Sequence, residues 1–341
     1  MTSVERYRKM IKGLEAAAIS PFFGEFHDFE GFLLEREFEG FFDFGQDHLE
    51  REDNDYDLRQ GNIYYNNLID FNALAWSKGG RYLIEVNKGA LFHLNRLYTS
   101  KKPLFDQEDL SAYRDLIGKK GITPEYFLFQ FSTLFLFFHE VGHLIQQQME
   151  GPGVEPYVEF LEETILDRDK VRVRHMREFD TDWFGGQQLS FYIKQFAIDL
   201  SPVGGPIDRE ILKMVASLAV ADVYMYFVDR SEGATDLYFE ERTHPHPWVR
   251  LNYMVYCVIE SLAGNLKEPI PKEEILREAI RLSELLMTIE DRNAVMVHSL
   301  GIYERIGEIE TYIKQIMENT EKYPFLCQHF FNAKAAKKEK G

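Results

Sequence analysis

Phe137-Phe138-His139-Glu140-Val141-Gly142-His143 closes an apolar run that begins at Phe127, and its spacing decides how the chain is read. A helix advances 3.6 residues per turn, so His139 and His143 lie one turn apart on the same face. Their imidazole nitrogens can then converge on one metal ion, and Glu140 can reach a water at an open coordination position. Upstream, Thr123-Pro124-Glu125 is a helix start, with proline at the first helical position. Downstream, Gly151-Pro152-Gly153 ends the helix near Met149. The stretch before the histidines is apolar nearly all round, which predicts a helix crossing the interior of a domain.

Composition limits what such a helix can belong to. The chain has 341 residues, 45% of them hydrophobic, enough for one large domain or two modest ones. Its 28 Phe and 18 Tyr are incompatible with a disordered chain. A net charge of −17 argues against a broad nucleic-acid footprint and favours a basic protein partner or substrate. Cys257 and Cys327 are far apart and form neither a disulfide framework nor a C-x-x-C metal clip, so free thiols in a reducing compartment are expected. Met1 to Arg6 has none of the apolar core of a signal peptide. Phe127 to Phe138 is too short to span a bilayer, and Ile211 to Val228 carries Lys213 and Asp222, which marks a buried helix. The expectation is a cytoplasmic protein with no membrane span.

Three segments follow from the patterning. Residues 1–60 hold an amphipathic helix over 1–19, with Val4, Tyr7, Met10, Ile11 and Leu14 on one face, and then an aromatic and acidic segment over 22–57. That segment reads as an aromatic layer packed on the core with acids outside, or as a loop covering a cleft. Residues 61–262 form the chemical domain. In it lie a strand over 81–86, read as an edge strand that could pair with an extended substrate, a helix over about 90–98 and the histidine helix. A helix over about 162–197 follows, with a break near Gly185-Gly186, and then a buried helix over 208–229 and another over 248–262. Residues 263–341 form a helical extension, with two or three helices joined near Asp291-Arg292-Asn293 and Gly301 and a frayed tail from Ala333. The fold class is α+β and mostly helical, with a small β-sheet.

A catalytic metal needs a third protein ligand. A third histidine six residues beyond His143 is excluded, because position 149 is Met. Glu178 supplies a carboxylate on a following helix, and Asp182 stands four residues later on the same face. Glu178 would bind the metal while Asp182 accepts the free N–H of a liganding histidine, fixing its tautomer. The rivals are Glu155, Glu159, Glu162 and Glu163, which are nearer in sequence, and Asp182 itself. Tyr157, Tyr192 and Tyr253 each offer a hydroxyl to an oxyanion, and spacing selects none of them. His27, His48, His93, His175, His298 and His329 read as ordinary polar or core positions.

His139-Glu140-x-x-His143 followed by Glu178-x-x-x-Asp182 resembles the signature of the gluzincin metallopeptidases. Thr243-His244-Pro245-His246-Pro247-Trp248-Val249-Arg250 looks like the T-H-P-x-x-x-x-R element of the membrane proteases within that group, and Ile84 to Leu91 resembles the strand-to-helix segment upstream of their metal helix. The matches cover about residues 81–251. The resemblance implies a zincin-like core, Zn2+ on His139, His143 and Glu178, Glu140 as general base, and His244 with Arg250 at the tetrahedral intermediate. His244 fits the Thr-His-Pro and the distance to Arg250, and is the favoured histidine; His246 also precedes a proline. The transmembrane helices of those proteases are missing here, and the long terminal extensions are unlike their minimal domain. In layout the chain is similar to the Lit-type phage-exclusion peptidases, which implies cleavage of a host protein in phage defence. The expected activity is zinc-dependent endopeptidase action on an intracellular protein or peptide. The alternatives are a regulated proteolytic toxin or defence effector, and a non-catalytic zincin-fold binding or regulatory protein.

Overall fold

The structure, a computed structural model, describes residues 1–52, 56–151, 168–203, 205–229, 237–240, 242, 244–266, 270–287, 292–318 and 320–329. Contacts divide the chain into two compact units, Met1–Arg96 with Leu136–Leu161 and Tyr323–Gly341, and Leu97–Phe135 with Glu162–Lys322. Among the described residues the chain is mostly helical with one three-stranded mixed sheet, in line with the α+β, mostly helical class expected from the patterning.

The first unit opens with helices α1 (Ser3–Ala16) and α2 (Glu35–Glu50). Thr2 and Glu5 close a reciprocal capping box that fixes where α1 starts. The middle of the aromatic and acidic segment becomes α2. Phe38, Phe41, Phe42 and Leu49 are buried, while Asp47 and Glu50 stay outside and pair with Arg6. The packed-layer reading holds for these residues.

The sheet consists of β1 (Gly61–Asn66), β2 (Ala73–Lys78) and β3 (Arg81–Asn87) in the order β1-β3-β2. β3 runs parallel to β1 and antiparallel to β2. The strand expected at 81–86 is therefore the central one. Both its sides are paired, so it is no open edge for an extended peptide. The reason is local: Gly79 and Gly80, both at positive φ, turn β2 back onto β3 in a two-residue hairpin.

Glu85 points into this unit and is buried. It accepts from Tyr64 Oη at 2.8 Å, Asn66 Nδ2 at 2.6 Å and the backbone N–H groups of Phe22 and Phe23 at 2.6 and 3.2 Å. Four donors offset the desolvation of one carboxylate and tie the segment after α1 to the sheet. At the end of β3 the chain enters α3 (Lys88–Thr99) directly. Gly89 makes that possible: its N–H donates to Leu68 O at 3.0 Å, and a Cβ there would lie 1.9 Å from Ile69 O.

The second unit is helical. α4 (Glu108–Gly118) is followed by α5 (Pro124–Glu150), whose residues from Leu136 onward belong to the first unit. Then come α6 (Arg168–Leu200), α7 (Arg209–Asp229), α8 (Pro247–Leu266), α9 (Lys272–Met287) and α10 (Arg292–Met317). α8 packs along α6, α9 along α7, and α10 rests on α8 and α6. The break expected near Gly185-Gly186 is absent, and α6 runs through it. A Cβ on Gly186 would stand 3.0 Å from Cys257 Sγ and 3.3 Å from Met254 Cε, so this glycine admits α8 rather than interrupting α6. Helices α5 and α7 are long and apolar enough to cross a membrane, and in each the apolar window is mostly buried within the protein. Asp222, inside α7, accepts from Ser132 Oγ at 3.1 Å with Tyr98 close behind, and burial raises its carboxyl pKa well above the usual range.

The close approach at Gly89 has a measurable consequence. Gly89→Ala must push the Cβ into a backbone carbonyl, and should cost about 2 kcal/mol or more of stability, read as a lower midpoint of urea unfolding. An unchanged midpoint would mean the β3–α3 junction relaxes freely.

Candidate functional site

The site residues fall into two groups, one in each unit. In the first, the last turns of α5 carry His139, Glu140 and His143. His139 and Glu140 are buried and His143 is half-buried. The imidazole Nε2 atoms of His139 and His143 face each other at 3.2 Å, with their rings almost perpendicular. His143 Nδ1 lies 3.3 Å from Oε1 of the fully buried Gln146. An amide oxygen only accepts, so Nδ1 carries the proton and the His143 Nε2 lone pair is left facing His139. Gln146 was not among the expected site residues; its position three after His143, on the same helical face, was the available signal.

This geometry bears on a metal. Two nitrogen ligands about 2.0–2.1 Å from a tetrahedral ion stand roughly 3.3 Å apart, close to the observed spacing. Two lone pairs opposed at that distance repel unless a cation or a proton lies between them. α5 is held in register at both sides of the pair. Phe137 packs against Phe41 and Phe44 of α2, Phe138 against His48, and Gln147 Nε2 donates to Ala75 O of β2 at 2.8 Å. On the helix itself, Cys327 Sγ donates to Gly142 O at 3.4 Å.

In the second unit α6 carries Glu178 and Asp182, both buried, one turn apart. α8 answers with Arg250 and Tyr253. Arg250 donates from Nε to Asp182 Oδ2 at 2.8 Å and from Nη2 to Oδ1 at 2.7 Å, a bidentate pair. Its Nη2 is also 3.5 Å from Glu178 Oε2, and Tyr253 Oη donates to Asp182 Oδ2 at 2.5 Å. Burial opposes the arginine charge, but Asp182 and then Glu178 override it and hold its pKa well above the usual value. Of the three tyrosines weighed, Tyr253 is thus engaged with Asp182, while Tyr157 lies outside the described residues. So do Glu155, Glu159, Glu162, Glu163 and Thr243.

The two histidines before α8 have separate jobs. His246 is fully buried and caps the helix: its Nδ1 accepts from Trp248 N at 3.1 Å, and its carbonyl accepts from Val249 and Arg250. Pro247 follows at the first helical position, where its missing N–H costs nothing. His244 is the one whose Nε2 stands beside Glu178 Oε1, at 3.9 Å. His139, His143 and Glu178 together offer a largely buried His-His-Glu donor set that could hold a metal ion.

No family model, curated protein or solved structure matches this chain.

His175, one turn before Glu178 on α6, is fully buried. Its Nε2 donates to Arg242 O at 2.9 Å, and its Nδ1 is 2.5 Å from Tyr312 Oη. Burial pushes its pKa down to about 4 from 6.5. Above pH 6.5 it is neutral in both the folded and the unfolded chain. Between 6.5 and 4 only the unfolded chain takes up the proton, so stability is lost as the pH falls through that window. The stability advantage of the wild type over His175→Phe should therefore shrink by up to about 3 kcal/mol from pH 6.5 to pH 4, measured by urea unfolding. A gap independent of pH would show that His175 is charged when folded.

Proposed function

We propose that this protein is a zinc-dependent endopeptidase of the gluzincin type, with the ion held by His139, His143 and Glu178. The observation that carries the reading is the convergence of the two Nε2 atoms at 3.2 Å on a helix where Glu140 is buried next to His139. The donor set, two imidazoles and one carboxylate, is that of a hydrolytic zinc site with one position left for water or substrate. Zinc in such a site supplies Lewis acidity to a carbonyl and lowers the pKa of water towards about 7.

The chain's own residues do the rest. Glu140 takes the proton from the attacking water and delivers it to the leaving amine. Gln146 keeps the His143 Nδ1 proton occupied, which orients the ring. Asp182 and Tyr253 hold Arg250, and Arg250 in turn holds Glu178, so the guanidinium orients the acidic ligand. That leaves His244, beside Glu178 and partly exposed, as the donor for the oxyanion that develops on the substrate. An extended peptide would pair with an edge strand, and β2, linked to α5 through Gln147, replaces β3 in that role. The net charge of −17 favours basic segments of a protein substrate.

Glu140→Gln is the test. The variant should retain one equivalent of zinc and lose turnover by about 10³-fold or more in a scan for new N-termini across a proteome digest. Turnover that survives this substitution would overturn the mechanism, and absence of zinc from the purified wild type would overturn the ligand assignment.

A further inference from the structure

The loop before α8 is fastened at points on both sides of His244. On the far side His246 is locked as the cap of α8. On the near side the fastening is a chain of buried polar groups from three parts of the second unit. Tyr312, on α10, is buried, and its hydroxyl lies 2.5 Å from His175 Nδ1 and 3.0 Å from Phe239 O. His175, on α6, passes the link on through Nε2 to Arg242 O at 2.9 Å. Since Nε2 bears the proton given to Arg242, Nδ1 is the acceptor, and the Tyr312 O–H is shared between that nitrogen and the Phe239 carbonyl. The Tyr312 ring also packs on the Phe239 ring at 4.7 Å. Arg172 pairs with Glu240 from outside, and Arg242 covers the Tyr238 ring at 4.6 Å.

These contacts fix residues 239, 240 and 242 but leave the His244 imidazole itself turned towards Glu178. Residues 239, 240 and 242 belong to no helix or strand, so their course is set by such side-chain links. We propose that Tyr312, acting through His175, is a positioning residue: it fixes Phe239 and Arg242 ahead of α8 and so sets His244 against Glu178. The helical region after α8 then belongs to the working site rather than being an appendage to it. This assignment rests on the peptidase reading for its effect on turnover, but not for its effect on the loop.

The experiment uses the full chain and three variants: Tyr312→Phe, His244→Ala and the double variant. Tyr312→Phe keeps the ring on Phe239 and removes only the hydroxyl, so folding is preserved. Hydrogen exchange in the peptide covering 238–246 should rise by about tenfold in Tyr312→Phe, with exchange in α7 unchanged. With a cleavable substrate, kcat should fall about 10-fold while KM and bound zinc stay within about 2-fold. Because the effect runs through His244, the double variant should be no slower than His244→Ala alone. Unchanged exchange in 238–246 overturns the proposal, as does a double variant in which the two losses multiply. A wild type that cleaves nothing defeats the peptidase reading alone, and the exchange measurement then decides the loop assignment.

Discussion

The buried pair between Asp182 and Arg250 is the constraint around which the second unit is arranged. α6 presents two carboxylates, Glu178 and Asp182, at positions with almost no solvent. Two such charges one turn apart repel and are costly to desolvate, and only a cation brought to them makes their burial tolerable. Arg250 supplies it, with both of its hydrogen bonds to Asp182 near ideal length. For that guanidinium to arrive, α8 has to start where it does. The cap at His246 and the proline at 247 set the start, and Gly186 lets α8 lie close enough on α6. The rest of the unit follows from that placement: α7 packs against α8 and α9 against α7.

The first unit solves a different problem, that of placing polar groups at the end of a helix whose body is apolar. α5 buries Phe137, Phe138, Val141, Leu144 and Ile145, and the same turns carry His139, Glu140 and His143. The aromatic residues of α2 hold one side of the helix, and Gln147 reaches the sheet at Ala75 on another. With α5 fixed in this way, the rotation of its histidine face is not free. The 3.2 Å approach of the two Nε2 atoms is a consequence of the helical repeat together with the Gln146 amide that orients His143.

Much of this was legible in the chain. The histidine helix, the buried 208–229 helix and the start of α8 at a His-Pro step all follow from periodicity, length and proline chemistry, which are local properties. The i, i+4 placement of Glu178 and Asp182 is likewise helical arithmetic. What the sequence concealed was local structure whose meaning depends on a neighbour. Gly185-Gly186 looks like a break until α8 is placed against it. The aromatic and acidic stretch before residue 57 does not announce a helix, because its buried Phe residues are interleaved with acids that pair with Arg6 of α1. The strand at 81–86 looks like an edge because β2 is weakly patterned, and only the Gly79-Gly80 turn signals the hairpin that buries it.

The sequence by itself determined the identities and helical spacing of the chemical groups: two histidines one turn apart, a glutamate between them, two carboxylates one turn apart, and a histidine and an arginine six residues apart. Helical periodicity is an intrinsic property of the backbone, so those relations needed no partner. The tertiary structure alone decided which of these groups answers which. It sent Arg250 to Asp182 and Tyr253 to the same carboxylate, made His246 a helix cap and left His244 beside Glu178, and recruited Gln146, His175 and Tyr312. Those pairings join residues up to 137 positions apart. They are set by the need to satisfy buried charge and buried hydrogen-bonding groups, a requirement that exists only once the chain has excluded water from them.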